Sequence, residues 1–182
     1  MQIKTIVGGS IGTNCYVISD NEKNSVLVDY VPEAEPYISK NSLIINKVFL
    51  THIHFDHIEY LSLFQKKKDF DLYLSEYAYK NINDPEKNLV AFTPFMDEYE
   101  KTDKINLSRA ILINDNDIIE WNNRPFFKVL LSPGHSPDSV IYISDEIKSV
   151  FSGDTLFHLG VGRTDFPGSS HEKMLESSII WR

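Results

Sequence analysis

The chain has 182 residues, of which 42% are hydrophobic and 24% charged, with a net charge of −8. That balance reads as one globular domain over residues 1–182, long enough to bury a core, and the acidic surplus opposes a nucleic-acid-binding surface. The lone cysteine, Cys15, makes no intramolecular disulfide, and neither Met1-Gln2-Ile3-Lys4 nor any later segment is apolar enough for a signal peptide or a membrane span, so the expected location is the cytoplasm.

Taken in chain order, Ile3–Val7, Asn14–Ser19 and Ser25–Asp29 have the composition of strands, and Glu33–Lys40 has a helical pattern. Ile45–Thr51 is the next strand. It runs into Thr51-His52-Ile53-His54-Phe55-Asp56-His57, and the helical pattern His57–Lys67 follows. Lys66-Lys67-Lys68 sits at that helix's end, where cations complement the dipole, and reads as a solvated cap. Leu72–Ser75 is a strand, Glu76–Asn81 a helix, and Phe95–Lys101 a weaker helical stretch. The strands Ile111–Asn114, Phe126–Leu131, Val140–Ser144 and Ser149–Ser152 precede a last helix, His171–Ile180. Strand clusters interleaved with helices imply stacked layers with sheet inside and helices outside.

The strongest chemistry follows strand ends. Imidazole and carboxylate are ligand types that borderline cations such as zinc prefer. In an extended segment, residues two apart point the same way, so His52, His54 and Asp56 are expected to project together, with His57 approaching from the helix. His135 lies in Ser132-Pro133-Gly134-His135-Ser136-Pro137-Asp138, a tight turn after an apolar strand. Alone it would read as a turn histidine bonded to backbone; beside the first cluster it is a ligand candidate. Asp154 follows Ser149–Ser152, where a carboxylate is costly to desolvate unless paired or bound to a cation. A cap is its bland alternative. His158 and His171 are not expected as ligands.

With these residues assembled, the chain resembles the metallo-β-lactamase superfamily, in its glyoxalase II-like hydrolase branch. The resemblance rests on His52-x-His54-x-Asp56-His57, Pro133-Gly134-His135-Ser136, Gly153-Asp154-Thr155-Leu156-Phe157 and Gly162-Arg163-Thr164-Asp165-Phe166-Pro167-Gly168. Asn14-Cys15-Tyr16-Val17-Ile18 and Val26-Leu27-Val28-Asp29 resemble the family's first strands. It implies an α+β fold, a four-layer αβ/βα sandwich. It also implies two divalent metal ions, zinc first, with iron or manganese also fitting. His52, His54 and His135 would hold one ion, Asp56 and His57 the other, and Asp154 would bridge them.

The family takes a further histidine from beyond the helix that here begins near His171. The sequence reaches Ile179-Ile180-Trp181-Arg182 still within that pattern. The expectation is therefore a sandwich lacking its final strand and helix, an incomplete second metal site, and apolar surface available for a homodimer. Asp138 stands where the family tends to have glycine, and Asp tolerates a left-handed turn there better than most residues.

The activity implied is hydrolysis of a small ester, thioester or lactone by hydroxide formed at the metal, with Asp56 orienting the nucleophile. A small-molecule substrate is expected, and neither nucleic acid nor membrane. Cys15 is expected in the core and Arg163–Asp165 as a buried structural pair. β-Lactam hydrolysis is not expected, because no cysteine stands near the second metal. The alternatives are a mononuclear iron persulfide dioxygenase using His52, His135 and Asp154, or an inactive metal-binding relative.

Overall fold

The computed structural model describes residues 1–99, 101 and 103–179. Ile180, Trp181 and Arg182, where the last helix was expected to end, lie outside the described residues, as does Glu100 within Phe95–Lys101.

Two sheets are built from consecutive stretches of sequence. The first contains β1 (Gln2–Gly8), β2 (Thr13–Ser19), β3 (Asn24–Val28), β4 (Ile44–Phe49), β5 (Asp71–Ser75) and β6 (Ala110–Ile113), in that spatial order. β1, β2 and β3 pair antiparallel, while β3 through β6 pair parallel with helices in the crossovers. These helices are α1 (Ala34–Lys40), α2 (Phe55–Ile58), α3 (Leu61–Gln65) and α4 (Glu76–Asn81). The second sheet is antiparallel, with β7 (Ile118–Trp121), β8 (Arg124–Leu131), β9 (Val140–Ser144) and β10 (Ser149–Phe151) in the order β10-β9-β8-β7. A hairpin of β11 (Leu156–Phe157) and β12 (Gly160–Val161) stands apart from it, and α5 (Met96–Tyr99) and α6 (His171–Ile179) complete the described helices.

The period-two alternation of the strands divides the core into two layers. Cys15, Val17, Leu27, Val48, Leu72 and Leu74 face the helices, with Ile38, Ile58, Leu61 and Phe64 opposite them. Ile18, Val26, Val28, Phe49 and Tyr73 face the second sheet, against Phe127, Val129, Tyr142 and Phe151. Phe49 sits at the centre of this layer, with ring centroids 4.5 Å from Tyr73, 5.0 Å from Phe127 and 5.3 Å from Tyr142. The architecture is the expected mixed α+β sandwich, and Cys15 lies in its core. No described helix is long and apolar enough to cross a membrane.

Some expectations are corrected. β4 ends at Phe49, so residues 50–54 are loop, and Asp56 sits on the helical turn α2 rather than alternating with His52 and His54 along a strand. The helix expected over His57–Lys67 breaks into α2 and α3 at Glu59 and Tyr60, because the Glu59 carboxylate accepts the Ser10 N–H (2.7 Å) and hydroxyl (2.5 Å) and holds the chain there to the β1–β2 turn. Lys66 and Lys67 are not bare caps: they pair with Asp103 and Glu35.

The sheets meet where their strands end. The Asp29 N–H donates to the Phe49 carbonyl (2.8 Å) and Leu50 to Tyr73 (3.0 Å), while Val140 crosses between sheets to the Thr51 carbonyl (2.8 Å). The loops after β3, β4, β8 and β10 therefore share one edge of the sandwich.

Candidate metal centre

That edge gathers all six predicted residues. His52, His54, Asp56, His57 and His135 are buried, while the Asp154 side chain keeps 33% of its surface exposed and forms the open side of the cluster. Two groups of three residues, His52–His54–His135 and His52–His57–Asp154, have ligand atoms within 4.8 Å of one another. His54 Nδ1 lies 2.9 Å from His135 Nε2. His57 Nε2 lies 3.3 Å from Asp56 Oδ2 and 3.6 Å from Asp154 Oδ1, and His135 Nε2 lies 3.5 Å from Asp154 Oδ2.

Outward hydrogen bonds decide what the rings offer inward. Thr51 donates its hydroxyl to Asp29 Oδ2 (2.7 Å), so its oxygen is left to accept from His52 Nδ1 (3.1 Å). Asp29 Oδ2 also takes the proton of His57 Nδ1 (2.8 Å), and the Arg163 carbonyl takes that of His135 Nδ1 (2.9 Å). With their Nδ1 protons committed outward, His52 and His135 each present a bare Nε2 to the centre, and His57 turns its Nε2 inward toward the Asp56 and Asp154 carboxylates. His52 Nε2 is buried with no hydrogen-bond partner. An orphaned imidazole nitrogen among carboxylates and other lone pairs is a poor arrangement for an empty core and a suitable one for a divalent cation. The donor set fits the metal that the sequence pattern implies.

Three of the four rings are held neutral, and the fourth is held charged by its carboxylate neighbours. Burial, and then the neighbouring His57, His54 and His135, holds His52 well below the usual imidazole range. Burial with His135 and His57 pulls His54 down to about 3. Burial also lowers His135, against the pull of Asp154. His57 behaves oppositely: burial opposes its charge, but Asp29 and Asp56 outweigh burial and raise it well above the normal value. Asp154, despite burial, is lowered by its contact with His57.

Two residues that the sequence did not mark as part of the site hold its frame. Asp29, in a left-handed conformation (φ 56°), accepts the Thr51 N–H (2.8 Å) and hydroxyl as well as His57. Asp138 is buried and accepts the Ile53 N–H (2.8 Å), fixing the peptide between His52 and His54 to the loop that carries His135. Its φ is not positive, so the backbone there does not call on the left-handed conformation that Asp tolerates. Thr13 donates its hydroxyl to Asp56 Oδ2. Glycine serves at two close approaches. A Cβ on Gly134 would come within 2.6 Å of the Met174 backbone in α6, and Gly153 combines φ 49° with contact to the Thr51 side chain. Arg163 and Asp165 pair through two bonds of 2.6 and 2.7 Å, but both are exposed, contrary to the expected buried pair. His158 lines the polar cavity beside His57 and Asp154, and His171 lies outside both groups of three.

Residues 8–180 match the family model of the metallo-β-lactamase superfamily. The chain is 31% identical over 186 residues to the hydroxyacylglutathione hydrolase GloC of Haemophilus influenzae, covering 97% of this chain and 82% of the relative. It is similar in structure to the BLEG-1 B3 metallo-β-lactamase, with a TM-score of 0.84 and 30% identity over 97% of this chain and 83% of the other. TTHA1623, solved in a di-iron-bound form, gives a TM-score of 0.76 at 26% identity, covering 98% and 85%.

Proposed function

The chain belongs to the metallo-β-lactamase superfamily, and on that premise we propose that it is a metal-dependent hydrolase of a small ester, thioester or lactone, with residues 1–182 acting as one domain. One observation carries the reading: six donors converge while the outward nitrogens of three rings are tied off by Thr51, Asp29 and the Arg163 carbonyl. In this reading His52, His54 and His135 hold one ion, Asp56 and His57 the second, and Asp154 spans both. Six converging donors, more than one ion needs, and the di-iron form of a structural neighbour support two ions over a single iron on His52, His135 and Asp154. Zinc suits this nitrogen and oxygen set, and the di-iron neighbour keeps iron beside it.

A bound divalent ion supplies a water whose pKa falls to roughly 7 and a Lewis acid for the substrate carbonyl. The chain's own residues do the rest. Asp56, its Oδ2 held by the Thr13 hydroxyl, would orient the attacking water by accepting a hydrogen bond from it. The Asp29 carboxylate keeps His57 Nε2 turned inward, and the Asp138–Ile53 bond sets the spacing of His52 and His54. The lone buried cysteine takes no part and supports a cytoplasmic location.

The test is metal content of protein purified without added metal, followed by a screen of esters, thioesters and lactones. A β-lactam belongs in the screen because BLEG-1 is similar in structure. About two metal equivalents are expected. His54→Ala and Asp154→Ala should lower turnover at least about a hundredfold, while His171→Ala keeps it. Wild-type turnover in Asp154→Ala, or oxygen uptake on a persulfide without hydrolysis, would overturn the reading.

A further inference from the structure

Two cavities flank the cluster and differ in chemistry. Both include Ile11, Asp56, Asp154 and Phe157 in their linings. One, of about 390 Å³, continues along Thr13, Asn14, Ser152 and His158. The other, of about 400 Å³, opens over His54 and His135 and is walled by Leu89, Phe92, Phe166 and Pro167. At ~30 Å³ per water the second holds about a dozen waters' worth of volume, within the range of small-ligand sites.

Outside the donor cluster this second cavity has few polar groups, and those bond mainly within the protein. Arg163 is the only cation in its lining, and both its Nε and Nη2 donate to Asp165 while its guanidinium lies 4.2 Å from the Phe166 ring centroid. Thr93, the one hydroxyl in the lining, donates to the Val90 carbonyl (2.8 Å). The Phe166 ring meets His54 and His135 edge-on, with centroids at 5.5 and 5.7 Å, so the apolar wall begins at the donor cluster itself.

The wall is also prebuilt. Leu89 stands in the left-handed region (φ 68°), an unusual conformation for a bulky residue. The preceding Asn88 holds it there. Fully buried, Asn88 donates to the Ile82 carbonyl (3.1 Å) and the Tyr99 hydroxyl (3.0 Å), and accepts the Val90 N–H (3.1 Å). The Asn88 carbonyl takes the Phe55 N–H (2.9 Å), tying the segment to the start of α2. Phe92 is thereby presented at the cavity mouth with 65% of its surface exposed. An exposed large aromatic on a braced segment beside a reactive centre is placed to meet a ligand.

We infer that the substrate carries an apolar, uncharged group next to its scissile carbonyl bond, and that the Leu89–Phe92–Phe166 wall selects it. This deepens the hydrolase reading and rests on it. A wall whose one guanidinium already serves Asp165 and whose one hydroxyl already donates to a carbonyl offers a charged or peptidic group little to pair with, whereas each buried methylene is worth roughly fourfold in affinity. The apolar group can lie on the acyl side or on the leaving side, and a two-armed series separates these.

The metal-loaded protein is assayed with acetyl, butyryl and hexanoyl thioesters of N-acetylcysteamine, then with acetyl thioesters of ethyl, butyl and hexyl thiols, and with acetyl and hexanoyl glutathione. kcat/KM should climb at least about tenfold along one of the first two arms. Phe92→Ala should flatten that climb and Phe92→Leu restore most of it. Leu159→Ala, at a hairpin position outside the lining and 93% exposed, should leave the climb intact. In parallel, the uncharged fluorophore N-phenyl-1-naphthylamine is titrated into the metal-loaded protein, where wild type should bind it and Phe92→Ala should not. Thioester hydrolysis that ignores chain length, or that depends on the glutathione moiety alone, overturns the inference and leaves the hydrolase reading standing. If no ester or thioester is turned over, the hydrolase reading falls and the fluorophore decides: binding lost in Phe92→Ala supports the apolar subsite, and no binding overturns it.

Discussion

Asp29 is the residue on which most of the centre's order depends, since one carboxylate receives a backbone N–H, a hydroxyl and an imidazole. Asp29→Asn tolerates the same left-handed backbone but loses the charge opposite His57. Metal affinity is expected to fall about 10- to 100-fold, read by competition with a chromogenic chelator. His54 makes a prediction in pH. Its imidazole titrates at about 3 in the folded metal-free chain and at about 6.5 when unfolded. Between those values the unfolded state binds the extra proton. The contribution is complete above pH 6.5 and is lost as pH falls through the window. In urea unfolding of metal-free protein from pH 6.5 to 5, His54→Gln should lose stability less steeply than wild type, by about 1.4 kcal/mol per pH unit. Equal slopes would place the His54 titration elsewhere.

Among elements, the turn after β8 and α6 depend on each other. Ser177 donates to the Pro133 carbonyl (2.8 Å), Ser170 N–H to Gly134 (2.8 Å), and Gly134 leaves no room for a side chain against Met174. Gly134→Ala is expected to cost about 1–3 kcal/mol and to move His135, so thermal unfolding and metal content should fall together. A variant with lowered stability but full metal content would separate the two.

Most strands were legible because they alternate or run apolar between turn residues. β7 was missed: Ile118–Trp121 is short and pressed between Asp117 and Asn122. The signal was nonetheless present. Asn122 and Asn123, at φ 54° and 60°, form the left-handed pair that a tight hairpin needs. The α2–α3 break was not legible, since Ile58, Leu61 and Phe64 keep helical spacing across it and its cause, Ser10, is 49 residues from Glu59. The site residues were legible because donor chemistry clusters in short motifs. Asp138 was not, because its partner Ile53 is 85 positions away.

For the whole molecule, an ion held by the proposed ligands would cross-link the two sheets. Residues 52–57 follow the first sheet, and His135 and Asp154 the second. Chelation should therefore lower the unfolding temperature, and restoring metal to a hundredfold excess over its Kd should recover about 2.7 kcal/mol. An unchanged melting curve would contradict a bridging ion.

The strand order 1-2-3-4-5-6 followed by a separate 7-to-10 sheet has a consequence during synthesis. Everything needed for the first sheet has left the ribosome by Ile113, with four of the six donors already in place. At that moment Ile18, Val26, Val28, Phe49 and Tyr73 form an apolar surface whose partners have not yet emerged. A nascent chain paused there exposes that surface to other chains, and the proposed metal cage still lacks His135 and Asp154. The cage can close only once the last third of the chain has been made.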